Sequence, residues 1–518
     1  MNPVKKCVLT ACVLLLALVL ASCGSAAEKL EPGTPVPDEP YEAVDYNLYP
    51  APADGFVGDV MPFVTDNGTL ELYYLFDSNM NEQAYHPIYK LSTKDLSGYT
   101  DHGMMLNYGS MFDPDPALGT GSVIQDPDGL YHLFYTGHND TGVGGMGKEC
   151  VMHAVSTDRE HWEKIEGVVF YRPEGYSGDD FRDPEVFWVE QDQCYWLLIA
   201  AREDDLGGVV LKYTSTDLEH WELYGPIFAP MQQYMLECPD LFRMGDKWYL
   251  TYSWDCVTYY AMSDSIDGPF VAPRNNTLDG KGTMEGKGFI FYGGKTAEWH
   301  GNTYLCGWLG RAGLYTDSGA YDWAGSVMVH QLIQNPDGTL AVKAPDDLAD
   351  YFNLDKIVIS SALEGDVSID RNNIALNAAE GEYALADLGT RPATMTLECD
   401  VTFDEDGRAG FAFGDPNAEE PYYTALCLDA SWNMIHYEGY ELSTIADLEP
   451  VAGTKFDFTE PGTHHVKLVC ENEILVLYID NLRALSLRVR NSTDGAHLCV
   501  FSYGCSASFN NILMKIPG

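Results

Sequence analysis

Three short acidic motifs stand at comparable places in this chain: Gly58-Asp59-Val60, Arg182-Asp183-Pro184 and Glu237-Cys238-Pro239. Each lies just upstream of an apolar, aromatic-rich segment. Carboxylates that converge from distant parts of a chain are the equipment of glycosidic-bond cleavage. One acts as nucleophile or base, and another donates a proton to the departing oxygen. A retaining pair stands roughly 5–5.5 Å apart, an inverting pair roughly 6.5–9.5 Å apart so that a water fits between. The donor must keep its proton near neutral pH, through burial or neighbouring negative charge. A third carboxylate can raise that pKa and hold sugar hydroxyls. Each motif alone is weak, since an Asp before Pro is more often a turn residue. Their joint placement is the informative point.

That placement depends on a repeat. Apolar aromatic strands are expected at Leu70 to Phe76, Tyr131 to Thr136, Tyr195 to Ala200, Trp248 to Ser253 and Thr303 to Trp308. Aligning Leu72, Leu133, Leu197, Leu250 and Leu305 gives intervals of 61, 64, 53 and 55 residues. Most of these strands follow a turn signal such as Asp66-Asn67-Gly68 or Asp126-Pro127-Asp128-Gly129. Ala154 to Trp162 and Tyr213 to Trp221 repeat one Ser-Thr-Asp…His-Trp pattern almost verbatim. Turn-rich β units of this length imply a radial array of four-stranded sheets, and five copies suggest a five-bladed β-propeller. Asp59, Asp183 and Glu237 would then open the first, third and fourth blades and face the axis at one end. From about residue 355 the repeat gives way to short alternating runs, such as Thr394 to Phe403 and His465 to Cys470, which read as a β-sandwich. The expected fold class is all-β: a propeller over 46–350 followed by a sandwich over 351–518.

Bulk properties narrow the partners. A formal charge of −48 argues strongly against nucleic acid, whose phosphates demand a basic surface. It fits a neutral sugar, or serves only to keep an exported protein soluble. The N-terminus reads as an export signal. Lys5 and Lys6 precede an apolar run from Val8 to Leu20, too short to span a membrane. Leu20-Ala21-Ser22-Cys23-Gly24 looks like a lipobox, so residues 1–22 are expected to be cleaved and Cys23 acylated. Residues 23–45, with Pro32, Pro35, Pro37 and Pro40, would form a flexible tether, leaving the protein exported and membrane-bound only through its lipid. The other cysteines form no Cys-x-x-Cys pair and no metal-ligand spacing with histidine, so no metal is expected and buried free thiols are the simplest reading.

Taken together, these residues resemble glycoside hydrolase family 32, the β-fructosidases, which join a five-bladed propeller to a C-terminal sandwich. The resemblance rests on FRDPEVF (Phe181 to Phe187), ECPDLF (Glu237 to Phe242) and the stretch Tyr321 to Pro345 with Trp323-Ala324-Gly325 at its head. It implies that Asp59 is the nucleophile, Glu237 the general acid/base and Asp183 the transition-state stabiliser. Arg182, Phe63, Asp77, His86, Ser122, Cys238 and Trp308 are the substrate-binding candidates, and Tyr85, Phe112, Trp254 and Trp323 are further aromatic faces on which a sugar could stack. The implied activity is retaining hydrolysis of terminal β-fructofuranosyl linkages in sucrose or a fructan, with no cofactor. The family's usual Trp-Met-Asn-Asp-Pro-Asn-Gly is replaced by Phe56-Val57-Gly58-Asp59-Val60-Met61-Pro62, and Met284 to Gly294 lacks the expected acidic-aromatic pattern. Two alternatives stay open on the residues alone: an inverting propeller hydrolase of arabinans or xylans, and a glycan-binding lipoprotein without turnover.

Overall fold

Turn residues and runs of β-branched and aromatic side chains alternate along the chain from Phe56, and the backbone follows them as antiparallel meanders. The computed structural model describes residues 46–518 apart from 79–85, 143–145, 205, 232, 284–287, 313–316, 318, 440–441, 443–449, 459–461 and 491–494. The expected signal peptide, Cys23 and tether lie outside the described residues, as does Tyr85.

The first meander runs Phe56–Val64, Leu70–Asp77, Ile88–Thr93 and Tyr99–Leu106. The second starts at Ala117–Gln125, the third at Tyr176–Val189, the fourth at Glu237–Met244 and the last at Tyr292–Trp299. The last and first share one sheet, joined through Val57 and Gly325. The second strand of each unit is the apolar run legible in the sequence. Tyr131–His138 and Asn302–Ala312, for example, are buried almost throughout. A strand covered on both faces must be apolar at consecutive positions, which is why these segments do not alternate.

The near-verbatim Ser-Thr-Asp…His-Trp pattern is a local device. Asp158 Oδ1 accepts the Glu160 and His161 backbone N–H groups at 2.9 and 2.8 Å, and Asp217 Oδ1 does the same for Glu219 and His220. Ser156 and Ser215 accept the N–H three residues on. These side chains satisfy the turn that ends the third strand, so the repeat recurs for backbone reasons.

After Leu340–Lys343 a 3-10 turn spans Asp346–Ala349, and Leu354–Lys356 pairs with the C-terminal strand Ser506–Ile516. Two large antiparallel sheets follow. One is centred on Tyr423–Asp429, Arg408–Gly414 and His497–Tyr503, the other on Ser506–Ile516, Thr394–Phe403 and His464–Glu471. The turn at Asn472-Glu473 leads into Ile474–Ile479, a fully buried strand inside the second sheet. All ten described cysteines are free thiols, nine of them buried.

The two halves share polar and apolar contacts. Lys281–Gly282, from the linker before the last meander, pairs with Ala452–Lys455 at the edge of a sandwich sheet. Asp279 is buried between the halves, accepting the Ser486 hydroxyl at 2.6 Å and its N–H at 2.9 Å. Its Oδ2 also lies 3.0 Å from His330 Nε2, and the other imidazole nitrogen reaches the Tyr478 hydroxyl at 2.9 Å. Arg488 crosses back to the Gly310 carbonyl and the Ser326 hydroxyl. Glu471 accepts three successive N–H groups from Asn47, Leu48 and Tyr49.

Burial alone would raise the pKa of Asp279, but hydrogen bonds from His330 and Ser486 outweigh it and hold the carboxyl below its usual value. Its contribution is therefore full at neutral pH and is lost as pH falls toward the acid range. Asp279→Ala is expected to lower unfolding free energy by about 2–4 kcal/mol at pH 7, because it strands buried donors. Urea unfolding measures this directly, and an unchanged midpoint would contradict the role given to Asp279.

Candidate active site

Each meander begins with a strand that carries a β-bulge near its start. In the first, Val57 faces Phe76 and Val60 faces Tyr74, so Gly58 and Asp59 share one partner position. The same break falls between Gly119 and Gly121, Arg182 and Glu185, Glu237 and Asp240, and Tyr292 and Lys295. A bulge re-aims the side chain it carries. Thr120, Asp183, Cys238 and Gly293 occupy these breaks in the other four units. Asp183, Cys238 and Gly293 have φ of 64°, 49° and 64°. Pro184 and Pro239 then sit where the ladder is already broken, so their missing N–H removes nothing. That explains the Asp-Pro and Cys-Pro spelling of the motifs.

Interactions across the breaks bring the three carboxylates into one cluster. Asp59 is partly buried, its Oδ1 accepting Trp308 Nε1–H at 2.8 Å and its Oδ2 the Thr120 hydroxyl at 2.8 Å. Asp183 Oδ2 accepts the Cys238 N–H at 2.9 Å, and its own N–H donates to the Thr136 hydroxyl at 2.8 Å. Glu237 is partly open to solvent. Its Oε1 accepts Arg182 Nη2 and Nε at 2.6 and 3.2 Å, and its Oε2 accepts the Tyr292 hydroxyl. Glu149 holds the far side of the same guanidinium at 3.1 and 3.2 Å and accepts the Phe181 N–H at 2.6 Å.

The electrostatics follow from crowding. Burial raises the pKa of Asp59, assisted by the charge of Glu237 and opposed by Trp308, Thr120 and Lys295. Burial pushes Asp183 up to about 7; Arg182 opposes this, while Glu237 and Asp59 reinforce it. The Cys238 thiol is raised well above its ordinary value by burial and by Asp59 and Asp183, and stays neutral. Arg182 would lose affinity for its proton on burial, but Glu237, Glu149 and Asp183 more than restore it.

A second buried layer follows directly after the bulges. Lys295 Nζ donates to Glu185 and to the Gly121 carbonyl at 2.7 Å, and Asp240 accepts the Thr296 hydroxyl and N–H at 2.6 and 3.1 Å. Burial and Asp240 push Glu185 up to about 7 against the pull of Lys295. Lys295 is thus a buried cation shared among carboxylates.

The other expected site residues divide. Trp308 and Cys238 touch the carboxylates, and Arg182 clamps Glu237. Asp77 receives Arg311 Nη1 at 2.6 Å and pairs in register with Phe56, on the flank of Asp59. His86 lies against the Trp323 ring, centroids 4.7 Å apart, with its pKa lowered by burial. Ser122 uses its hydroxyl to accept the Val186 N–H at 2.8 Å, tying the second unit to the third. Phe63 stands four residues beyond Asp59, edge-on to Tyr131 at 5.8 Å, and packs a core instead of lining the carboxylates. Trp254 stacks on Tyr234, and Phe112 is exposed.

Thr120, Tyr292 and Glu149 escaped sequence reasoning. Thr120 lies between Gly119 and Gly121, where a Cβ on Gly121 would fall 1.8 Å from the Phe134 carbonyl oxygen. A polar residue between two glycines at a unit's start was the available signal. A Cβ on Gly58 would lie 2.4 Å from Trp323 Cη2, so with the tryptophan in this position the backbone there has room only for glycine.

The chain matches the glycosyl hydrolases family 32 N-terminal domain over residues 50–343, and it belongs to that family. It is 34% identical over 211 residues to the raffinose invertase of Escherichia coli, covering 39% of this chain and 42% of that protein. It is 27% identical over 305 residues to the sucrose-6-phosphate hydrolase of Vibrio alginolyticus, covering 56% of this chain and 61% of that one. The chain thus spans about half the length of these curated relatives. A levanbiose-producing levanase of Bacillus subtilis (strain 168) is 23% identical over 491 residues, 87% of this chain and 86% of that protein. Among solved structures, an Aspergillus kawachii β-fructofuranosidase complexed with glycerol superposes with a TM-score of 0.69 at 17% identity, covering 92% of this chain and 95% of that one. The fold is therefore the all-β propeller-plus-sandwich arrangement of that family.

Asp183 yields a sign-definite prediction. With a folded pKa near 7 against an ordinary 3.8, the folded state binds more protons between those values, so stability falls as pH rises through that window and levels off above it. Asp183→Asn keeps an acceptor for the Cys238 N–H and removes the buried charge. We expect it to flatten the pH dependence of Tm, to add ~1–3 kcal/mol of stability at pH 8, and to abolish most turnover. A Tm–pH profile parallel to the wild type would contradict the assignment.

Proposed function

We propose that this chain hydrolyses terminal β-fructofuranosyl linkages of sucrose or a levan- or inulin-type fructan with retention of configuration. The observation that carries the reading is the fixed carboxylate of Asp59, gripped by Trp308 and Thr120 beside the buried Asp183 and the partly open Glu237. Names borne by the relatives, an invertase, a sucrose-6-phosphate hydrolase and a levanase, support a fructoside as substrate.

In this mechanism Asp59 attacks the anomeric carbon while Glu237 passes a proton to the departing glycosidic oxygen. A covalent fructosyl ester on Asp59 results. Glu237, now ionised, takes a proton from water as the water attacks the same carbon, releasing fructose and freeing Asp59. Asp183 accepts hydrogen bonds from ring hydroxyls, and Arg182 and Tyr292 hold Glu237 in line. No step calls for a cofactor.

The same proposal treats the five meanders as the blades of one five-bladed propeller over 46–350, with the sandwich over 351–518. It also takes the chain to be an exported lipoprotein, cleaved before Cys23 and anchored there by lipid. The support for the anchor is the charged start, short apolar run and lipobox-like ending of residues 1–24.

The test is to incubate the protein with sucrose, inulin, levan and an arabino-oligosaccharide while following the first-formed anomer by NMR. β-Fructofuranose released first is the expected result. Arabinose released with inversion would replace the reading with the arabinan-type alternative, and inactivity on every sugar would leave a binding protein.

A further inference from the structure

The sandwich holds a second polar cluster that the proposed hydrolysis does not use. Cys427 on Tyr423–Asp429 and His436 on Met434–Tyr437 are directly paired across neighbouring strands. Glu438 follows His436 by two residues, so the period of a strand places all three on one face. Their ligating atoms all lie within 4.8 Å of one another, and none of the three residues is more than 1% exposed.

The surroundings orient these groups inward. Asp429 Oδ2 sits 3.2 Å from His436 Nε2, and Asp429 is itself fixed by Arg408 Nε at 2.7 Å, the Ser431 hydroxyl at 2.5 Å and the Trp432 N–H at 3.0 Å. A carboxylate bound to one imidazole nitrogen leaves the other aimed at its target, the arrangement that commonly supports metal-bound histidine. His436 Nδ1 lies 2.7 Å from Glu438 Oε1, yet the two are not aligned for a hydrogen bond. Neither that nitrogen nor either Glu438 carboxylate oxygen has a hydrogen-bond partner among the described residues. An ion pair between His436 and Glu438 balances charge but still leaves Glu438 Oε2 buried with no donor among the described residues.

We propose that Cys427, His436 and Glu438 form a structural zinc site on this face of the sandwich. A thiolate, a neutral imidazole and a carboxylate suit a borderline divalent ion, and thiolate disfavours calcium or magnesium. The charges close: Zn²⁺ neutralises Cys427 and Glu438, while Arg408 neutralises Asp429. Binding releases the Cys427 thiol proton and any proton on His436 Nδ1 to solvent, with no redox change. At tetrahedral zinc bond lengths of roughly 2.0–2.2 Å to nitrogen and oxygen, the Nδ1–Oε1 pair must open by about 0.7 Å from its present 2.7 Å. The three ligands cross-link two neighbouring strands and leave the fourth tetrahedral position to a water; with so little solvent access the ion would serve stability, not catalysis.

The experiment uses the purified full-length chain, stripped with a chelator and reloaded with zinc or cobalt(II). We expect one metal ion per chain, a zinc-dependent rise in Tm of several degrees, and a near-ultraviolet thiolate-to-cobalt charge-transfer band. Cys427→Ser should lose that band, whereas Cys499→Ser, an equally buried cysteine of the same apolar cluster, should keep it. Glu438→Gln should weaken zinc binding at least tenfold with an unchanged circular dichroism spectrum, which decides the matter even if Cys427→Ser folds poorly. Sub-stoichiometric zinc, or a cobalt band that survives Cys427→Ser, would overturn the site. Neither outcome bears on fructoside hydrolysis, which is measured separately.

Discussion

One backbone irregularity, repeated, governs the arrangement of this protein. The first strand of every meander breaks its ladder by one residue at an equivalent height, and the groups that meet in the carboxylate cluster come from or beside those breaks. A regular strand points successive side chains to opposite faces. There, Asp59, Asp183 and the backbone of Cys238 would be absorbed into the packing between neighbouring sheets, as Ser122 and Phe63 are. The bulge frees them from that alternation. It also sets the local sequence: glycine where backbones approach closely, proline where no donor is needed, and left-handed φ at Asp183 and Cys238, which costs about 1–2 kcal/mol per residue. The long apolar second strands hold that strain in place.

The same geometry concentrates negative charge. Asp183 is buried with the partly buried Asp59 and Glu237 beside it, and the buried Asp240 forms a second layer with the partly buried Glu185. Among the described residues, Arg182 and Lys295 answer them in these two layers. Lys295 is buried and Arg182 partly so, and each is held by carboxylates that favour its protonated form. The site is therefore less stable than a neutral core of the same shape would be. The cost shows in the carboxyl pKa values of Asp59, Asp183, Glu185 and Asp240, all of which are raised. Stability elsewhere, including the buried polar seam of Asp279, His330 and Arg488 between propeller and sandwich, offsets that deficit.

Much of this was legible in the sequence, and the reason is physical. Strands buried on both faces must be continuously apolar, so the five units could be counted and the three carboxylates placed at their starts. The Ser-Thr-Asp…His-Trp repeat was equally visible because its side chains satisfy turn N–H groups wherever that turn recurs. What stayed hidden depends on partners far away in the chain. Tyr292 reads as an ordinary strand aromatic until its hydroxyl is seen to reach Glu237. Glu149 is a strand-edge acid until Arg182 meets it. Thr120 has no charge to attract notice. Ser122, a substrate-binding candidate by residue type, uses its hydroxyl on the Val186 N–H, because side-chain type does not tell which face of a bulged strand it occupies. The Cys427, His436 and Glu438 cluster has no metal-binding spacing because its members approach across a strand pair.

The division of labour between Asp59 and Glu237 can be read from a trapped intermediate. Glu237→Gln lacks the base needed to release a fructosyl ester but does not prevent its formation from a donor whose leaving group needs no proton, such as fructosyl fluoride. Mass spectrometry of peptides from the quenched reaction should find a hexosyl adduct on the peptide that contains Asp59, absent when Asp59 is also changed to Asn. An adduct on another residue, or turnover of the fluoride with inversion and no adduct, would contradict Asp59 as the nucleophile.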